Sequence, residues 1–506
     1  MSIFRKKASL TAVSALISLY TLVAFHAPFF KHELDCINGG ANGVILIAST
    51  VLLLLAINFF FTYLILYLGR FVGKCIVSFF LVGNAIGLYF INNFNALITD
   101  KMMGNVIHTQ YSEVSGFFCW AFVLYILLLG VPPCIYLFAR KIEYGSWKRF
   151  FANLGVALGL ILAVVFGNMK NWPWIDRNST ELGSLLLPWS YTVNTYRYLQ
   201  WEKKKNVKEI LLPDARFTTD SRDVCVLIIG ESTRRDHCSL YGYQKETNPY
   251  TSKDGVKAYV ADASATYTLA GVRAILEPKE TKELYEILPN YLGRTGADII
   301  WRTSNWGEPP VKYGKYLKKG ALAKLYPEED SKHDGILFHG LKEEIEACES
   351  NKQFIVIHTY TNHGPAYYSN YPPEFEIFTP VCTTVEMSQA TQEEVFNAYD
   401  NSVVYTDWLV HNTIQMLKDM PDTRGMVLFV SDHGESLGEN NLYMHGVPMA
   451  IAPREQIEIP FIVWTSAQDL EYKDLPEVGQ HHVYHSVLHF FGMETPAYNP
   501  QLDIFQ

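Results

Sequence analysis

The sequence predicts two joined parts: an α-helical membrane domain of five transmembrane helices, and an α/β domain on a doubly wound, mostly parallel sheet. Three observations predict it. Charge is divided unevenly along the chain, apolar runs of membrane length fill only the first third, and short β-branched runs alternate with helical pattern afterwards. The whole chain has 506 residues, 49% hydrophobic and 18% charged. Residues 1–168 hold 11 of its 42 Lys and Arg and 5 of its 51 Asp and Glu, a net of +6. Residues 169–506 hold 31 and 46, a net of −15, which brings the chain to −9. The second part is large enough to bury its own core. Its acidity argues against nucleic acid as a partner, and frequent aromatic residues exclude a disordered chain.

At roughly 20 residues per crossing, five stretches are long enough to span a bilayer: Ser9–Phe30, Gly43–Leu68, Lys74–Ile91, Gly116–Ala139 and Phe151–Asn168. The first reads as a retained helix, since it has no small-residue cleavage site and four more spans follow. Asn84 interrupts the third. Arg5, Lys6, Lys7, Arg70, Lys74, Arg140, Lys141, Lys148 and Arg149 fall on one side, against Lys31 and Lys101 on the other. The positive-inside rule makes the first group cytoplasmic. Five spans then deliver the C-terminal part to the opposite face, the periplasm of a bacterium. Residues 169–222 form an interfacial segment carrying Trp172, Trp174, Trp189, Tyr191, Tyr196, Tyr198 and Trp201 beside Lys203, Lys204 and Lys205. Such aromatics suit the headgroup layer. The plain expectation is an anchoring linker; the sharper one is a surface that also helps hold a lipid.

Residues 223–506 form the second domain. Its apolar runs are Val224–Gly230, Asp298–Thr303, Phe354–Tyr360, Met426–Ser431 and Phe461–Thr465, with helical pattern between them. Ligands of such sheets sit outside the carboxyl ends of the strands. The first run is followed by Glu231-Ser232-Thr233, the third by Asn362-His363-Gly364-Pro365, and the fourth by Asp432-His433-Gly434-Glu435. Carboxylate and imidazole together suit zinc, so Glu231, Asp432 and His433 are candidate metal ligands. An Asp-His pair alone is equally a helix cap or a surface group; three arrivals at strand ends favour the metal. His363 and His445 are candidates for a second metal or for proton transfer to a leaving group, against a structural role for either alone. Eight cysteines are spread over both parts, and spacing does not fix their connectivity. Cys348–Cys382 is the pairing expected if one forms.

Val226–Pro249 (VLIIGESTRRDHCSLYGYQKETNP), Asn362–Cys382 (NHGPAYYSNYPPEFEIFTPVC), Ser431–Pro453 (SDHGESLGENNLYMHGVPMAIAP) and the AYDNSVVYTD within Gln392–Asp407 resemble the bacterial phosphoethanolamine transferases. That family includes lipid A, Kdo and core-heptose modifying enzymes and the mobile colistin-resistance enzymes, and belongs to the alkaline phosphatase/sulfatase superfamily. The resemblance implies an alkaline-phosphatase-like domain in the periplasm, anchored in the inner membrane by a multi-pass bundle. It implies that Glu231, Asp432 and His433 bind one tightly held Zn²⁺ together with a threonine nucleophile. Thr266 and Thr268 compete for that role. The family pattern places the nucleophile eight residues before Leu276, which selects Thr268 and keeps Thr266 in reserve. His363 and His445 match active-site histidines that bind a second zinc or the substrate phosphate.

By the same resemblance, phosphatidylethanolamine is the donor and lipopolysaccharide the acceptor, at a lipid A phosphate, Kdo or a heptose. Transfer runs through a phospho-threonine, confers polymyxin resistance, and needs the bilayer but only a single chain, a monomer. The sequence departs from the pattern at Ser264, Ala274 and Ala390, where many members carry cysteine, and in Thr303–Pro310 (TSNWGEPP). An alternative is phosphoglycerol transfer by the same chemistry. A remote one is a membrane transporter or receptor with an inactive periplasmic domain, which the few intramembrane charges disfavour.

Overall fold

A computed structural model of the chain describes residues 7–37, 41–108, 119–168, 171, 174–175, 178–204, 209–281, 283–385 and 387–506. Arg5, Lys6, Trp172, Lys205 and residues 116–118 of the fourth expected span lie outside them. The chain divides into two units, residues 1–203 and 204–506.

The first unit is helical. Helix Leu10–Phe25 starts at Ser9, whose hydroxyl accepts from the Ala12 N–H, and continues after a 61° bend as Ala27–Cys36. Counted by length and composition among the described residues, three helices qualify as membrane spans: Gly43–Phe94, Trp120–Ala139 and Trp147–Gly167, with the bent pair a fourth. The expected second and third spans therefore fall inside one helical stretch, Ala41–Phe94, rather than in two separate helices. That stretch is broken at Arg70, where φ is 48° and ψ −112°. Beyond the break the chain folds back. A Cβ on Gly73 would meet the Ile65 carbonyl oxygen at 2.3 Å, whereas eight residues of straight helix would separate the two by about 12 Å. Asn58, Phe61 and Ile65 line one cavity together with Val77, Leu81 and Asn84, the order of two antiparallel arms.

Polar groups join these helices where lipid gives no alternative partner. Asn153 Nδ2 donates to Thr11 Oγ1 and Tyr63 Oη, each at 2.9 Å. Asn84, which interrupts the apolar run, is buried and accepts from Tyr191 Oη at 3.0 Å. The interfacial aromatics belong to this unit. Trp189 Nε1 donates to Asn58 Oδ1 at 3.0 Å and Trp174 Nε1 to the Cys36 carbonyl at 3.2 Å, while Tyr198 is buried and Tyr196 exposed. All eight cysteines are free, so Cys348 and Cys382 do not pair; Cys382 Sγ instead meets the Thr384 carbonyl at 3.2 Å.

The second unit is built on eight strands: β1 (Asp223–Gly230), β2 (Lys257–Asp262), β3 (Asp298–Thr303), β4 (Lys315–Lys318), β5 (Lys352–His358), β6 (Arg424–Ser431), β7 (Glu458–Thr465) and β8 (Val478–Gly479). Their order is β8-β2-β7-β6-β1-β5-β3-β4. Pairing is parallel throughout except that β7 runs antiparallel to both β2 and β6, so the sheet is mixed. All five predicted runs are strands. The three additional strands are short or peripheral, and β4 (KYLK) is an exposed edge blunted by lysine.

Every residue of β1 and β5 is buried, as strands covered on both faces require. Their alternation divides two cores. Cys225, Leu227 and Ile229 join Phe354, Val356, Leu428 and helices Thr268–Leu276 and His482–Phe490. Val224, Val226 and Ile228 join Ile355, Ile357, Phe429 and helix Gln392–Lys418.

At the start of β1, buried Asp223 faces Lys352 Nζ and accepts from Arg424 Nη1 at 2.9 Å. Removing one member of a buried ionic group leaves the others uncompensated. Asp223→Ala is expected to destabilise the protein by about 3 kcal/mol in denaturant titrations, with the activity of the folded fraction unchanged, because the pair lies at the opposite strand ends from Glu231.

Candidate metal and nucleophile site

Gly230 of β1 pairs with Ser431 of β6, so the next residues of each strand emerge side by side. Glu231, Asp432 and His433 are all fully buried there. His433 Nε2 stands 3.4 Å from Glu231 Oε1 and 3.5 Å from Asp432 Oδ2. His433 Nδ1 lies 2.8 Å from the Gly434 carbonyl; a proton donated there leaves Nε2 with its lone pair toward the carboxylates, the tautomer a metal ligand needs.

Thr268 is the first residue of helix Thr268–Leu276, which comes after β2. Its Oγ1 donates to Glu231 Oε2 at 3.2 Å and lies 3.4 Å from His433 Nε2. Thr266 turns elsewhere, donating to the Val447 carbonyl at 2.6 Å. The structure therefore brings Glu231, Thr268, Asp432 and His433 together and leaves Thr266 out.

His445 lies at the edge of this group, its ring 4.3 Å from that of His433 and 5.6 Å from that of His363. Its Nδ1 is 3.3 Å from Glu435 Oε2. His363 stacks on Tyr360 at 4.6 Å, with Nδ1 2.6 Å from the Gly364 carbonyl.

The cluster fits a cation. Burial, and then the charge of Glu231, hold the Asp432 carboxyl well above its ordinary range. Burial also opposes ionisation of Glu231, but the neighbouring imidazoles, His433 foremost, outweigh it and keep that carboxyl low. Burial, then His445, push the His433 imidazole down to about 3. Asp432 Oδ2 is buried without a hydrogen-bond partner, a cost that a coordinated ion removes. The donor atoms of Glu231, His433 and His445, and separately those of Glu231, His358 and Asp432, lie close enough to share an ion.

Backbone geometry aims these groups. Ser232 adopts a left-handed φ of 53°, so that its N–H reaches Asp432 Oδ1 at 3.1 Å and its Oγ reaches Glu231 Oε1 at 2.8 Å. Gly271 lets the helix Thr268–Leu276 approach, since a Cβ there would sit 2.2 Å from the Asp432 carbonyl oxygen. Gly271→Ala is expected to displace that helix and lower activity about 100-fold, measured on protein shown by its unfolding profile to be folded.

Sequence reasoning passed over three groups. Asn305 Nδ2 donates to Glu231 Oε2 at 2.6 Å and to the Thr359 carbonyl at 2.9 Å. His358 Nε2 lies 3.2 Å from that amide nitrogen, and its Nδ1 meets Glu308 Oε1 at 3.1 Å. Burial opposes ionisation of Glu308, but the bond to His358 keeps its carboxyl low. The signal for His358 was its place as the last residue of a strand; Asn305 and Glu308 lie in the aperiodic TSNWGEPP.

A mixed sheet with buried acids and a histidine at adjoining strand ends, and a helix-borne hydroxyl beside them, defines a sulfatase-type enzyme domain, and residues 223–493 match the sulfatase family. Residues 53–202 match the family described as phosphoethanolamine transferase EptA/EptB. The chain is 32% identical to phosphoethanolamine transferase EptA of Helicobacter pylori over 99% of its own length and 98% of that protein's. It is 30% identical to phosphatidylethanolamine transferase Mcr-1 of Escherichia coli over 79% of each. Its structure resembles the integral membrane lipooligosaccharide phosphoethanolamine transferase A of Neisseria meningitidis, with a TM-score of 0.88, 26% identity and 99% of both chains covered. The periplasmic domain of EptC from Campylobacter jejuni matches with a TM-score of 0.52 and 33% identity, over 59% of this chain and 97% of that one. The chain belongs to the phosphoethanolamine transferase family. It is an inner-membrane enzyme with its catalytic unit in the periplasm.

Proposed function

We propose that this chain moves phosphoethanolamine from phosphatidylethanolamine to lipopolysaccharide, at lipid A first and at Kdo or a core heptose as other acceptors, with Thr268 as nucleophile. One observation carries the mechanism: within a chain of this family, Thr268 Oγ1 lies in hydrogen-bond reach of Glu231 and beside His433. A divalent cation, Zn²⁺ by the carboxylate-imidazole donor set, held by Glu231, Asp432, His433 and Thr268 would offset charge on the phosphoryl oxygens and acidify the hydroxyl.

The chain's own residues do the rest. Thr268 Oγ1 attacks phosphorus, its proton leaving along the hydrogen bond to Glu231. The bond from phosphorus to the glycerol oxygen breaks, and diacylglycerol departs with a proton from His363 or His445. The same histidine then accepts the acceptor's proton as its oxygen displaces Thr268 from phosphorus, and Glu231 returns the first proton to the departing Thr268 Oγ1. His363 and His445 also offer donors for a second zinc. The reversal at Arg70 is read as a cytoplasmic turn, which makes five crossings: Arg70 stacks on Tyr144 at 3.8 Å and Lys74 Nζ donates to the Arg140 carbonyl at 2.9 Å, gathering basic residues on one side. Tethering the catalytic unit to a membrane-spanning one raises the effective concentration of two lipid substrates. The enzyme acts as a monomer and adds to polymyxin resistance by giving lipid A a positive charge.

Headgroup-labelled phosphatidylethanolamine and phosphatidylglycerol, each offered to the full chain in detergent, test the donor. Label is expected on lipopolysaccharide only from the first; transfer from phosphatidylglycerol alone overturns the assignment.

A further inference from the structure

Behind Glu231, three side chains run in a line across the carboxyl ends of β1, β5 and β3. Ile229 pairs with His358 and His358 with Thr303, so the residues that follow β3 reach back over β5 toward Glu231. Glu308 Oε1 lies 3.1 Å from His358 Nδ1, His358 Nε2 lies 3.2 Å from Asn305 Nδ2, and Asn305 Nδ2 donates to Glu231 Oε2 at 2.6 Å. His358 and Asn305 are buried and the Glu308 side chain is 7% exposed. None of the three takes part in the transfer steps proposed above. Asn305 and Glu308 belong to Thr303–Pro310, where the sequence departs from the family pattern.

Each link admits one arrangement of protons. The Asn305 carboxamide is oriented by backbone groups: its Oδ1 accepts from the Trp306 N–H at 2.9 Å, and its Nδ2 donates to the Thr359 carbonyl at 2.9 Å. The amide hydrogens therefore face Glu231 and His358. A neutral imidazole carries one N–H and one lone pair. Here Nε2 must supply the lone pair, so the proton sits on Nδ1, where an ionised Glu308 can only accept it. Thr303 Oγ1 donates to the same Glu308 oxygen at 2.5 Å and holds that carboxylate in place. With the proton on Nε2 instead, ring N–H would meet amide N–H. Turning the carboxamide to relieve that contact would set Asn305 Oδ1 against Glu231 Oε2, oxygen on oxygen. The Glu231 carboxylate is otherwise held by Thr268 Oγ1 on Oε2 and by Ser232 Oγ on Oε1, two hydroxyls that rotate freely and fix no plane.

We infer that Glu308 is a positioning residue for the metal site: it sets the His358 tautomer, His358 sets the Asn305 amide, and Asn305 holds the Glu231 carboxylate toward His433. This role rests on the proposed reading of Glu231 as a metal ligand.

The full chain in detergent, stripped with chelator, is titrated with Zn²⁺ against a chromophoric competitor. Glu308→Ala is expected to weaken Zn²⁺ binding about 10- to 100-fold, the usual worth of a group that orients a metal ligand. Glu308→Gln loses the same charge but keeps an oxygen for His358 Nδ1, and is expected to bind Zn²⁺ as the parent does. Asn305→Ala is expected to weaken binding as far as Glu308→Ala, and the double variant no further, because groups acting in series do not add. Thermal unfolding in excess chelator checks that each variant is folded; Glu308→Met, which keeps the bulk and removes the acceptor, replaces the alanine variant if that one is not. Zn²⁺ affinity unchanged in Glu308→Ala overturns the inference. Equal losses in Glu308→Ala and Glu308→Gln also overturn it, since the field of the charge would then be the cause, and so do additive losses in the double variant. A parent chain that takes up no Zn²⁺ overturns the metal reading and this role with it.

Discussion

Thr268→Ala is expected to abolish transfer, by at least about 1,000-fold, since loss of the proposed covalent nucleophile would remove the route itself rather than one contribution to it. The substitution deletes one hydroxyl and one methyl from a buried position and leaves the helix Thr268–Leu276 intact, so the protein still inserts and unfolds as the parent does. Two controls make the result specific. Thr266→Ala removes only a bond to the Val447 carbonyl and is expected to retain most activity. In the parent, brief exposure to phosphatidylethanolamine without acceptor should add the mass of one phosphoethanolamine to the peptide containing Thr268. Persisting activity in Thr268→Ala, lost in Thr266→Ala, would put the nucleophile two residues earlier.

The second large effect concerns Asp432. Asp432→Asn keeps the oxygen that accepts from the Ser232 and His433 N–H groups at 3.1 and 2.8 Å. It removes the charge that burial and Glu231 oppose. Bound metal, measured by elemental analysis of the purified chain, is expected to fall from about one ion to none, and transfer to fall at least about 1,000-fold with it. In the presence of chelator the variant should be more resistant to denaturant than the parent, because an uncompensated buried charge has gone. A general loss of folding predicts the opposite sign in that measurement. Full activity of the parent after exhaustive chelation would dismiss the metal altogether.

The central strands were legible because burial on both faces makes them continuous apolar runs, and in a parallel sheet the residues just past the carboxyl ends of such runs gather into a site. Glu231, Asp432 and His433 were found by that rule. β2, β4 and β8 were not: KAYVAD is only half-buried, KYLK is charged, and β8 has two residues. The choice of Thr268 over Thr266 rested on the family pattern counted back from Leu276, because two neighbouring hydroxyls do not reveal by themselves which one begins the helix Thr268–Leu276. Asn305 reaches Glu231 across a loop without period, and no local pattern announces such a contact. Asn84 interrupts an apolar run, yet a tyrosine more than a hundred residues later satisfies it, a long-range match that spacing does not carry.

The helix that carries Thr268 comes after β2, which is separated from β6 by the antiparallel strand β7, while the acids follow β1 and β6. An ion gripped by both sets would fasten the rim of the sheet to its middle. Filling the site would then stiffen the enzyme, and starving a cell of that element would expose the turn before Thr268 to proteases.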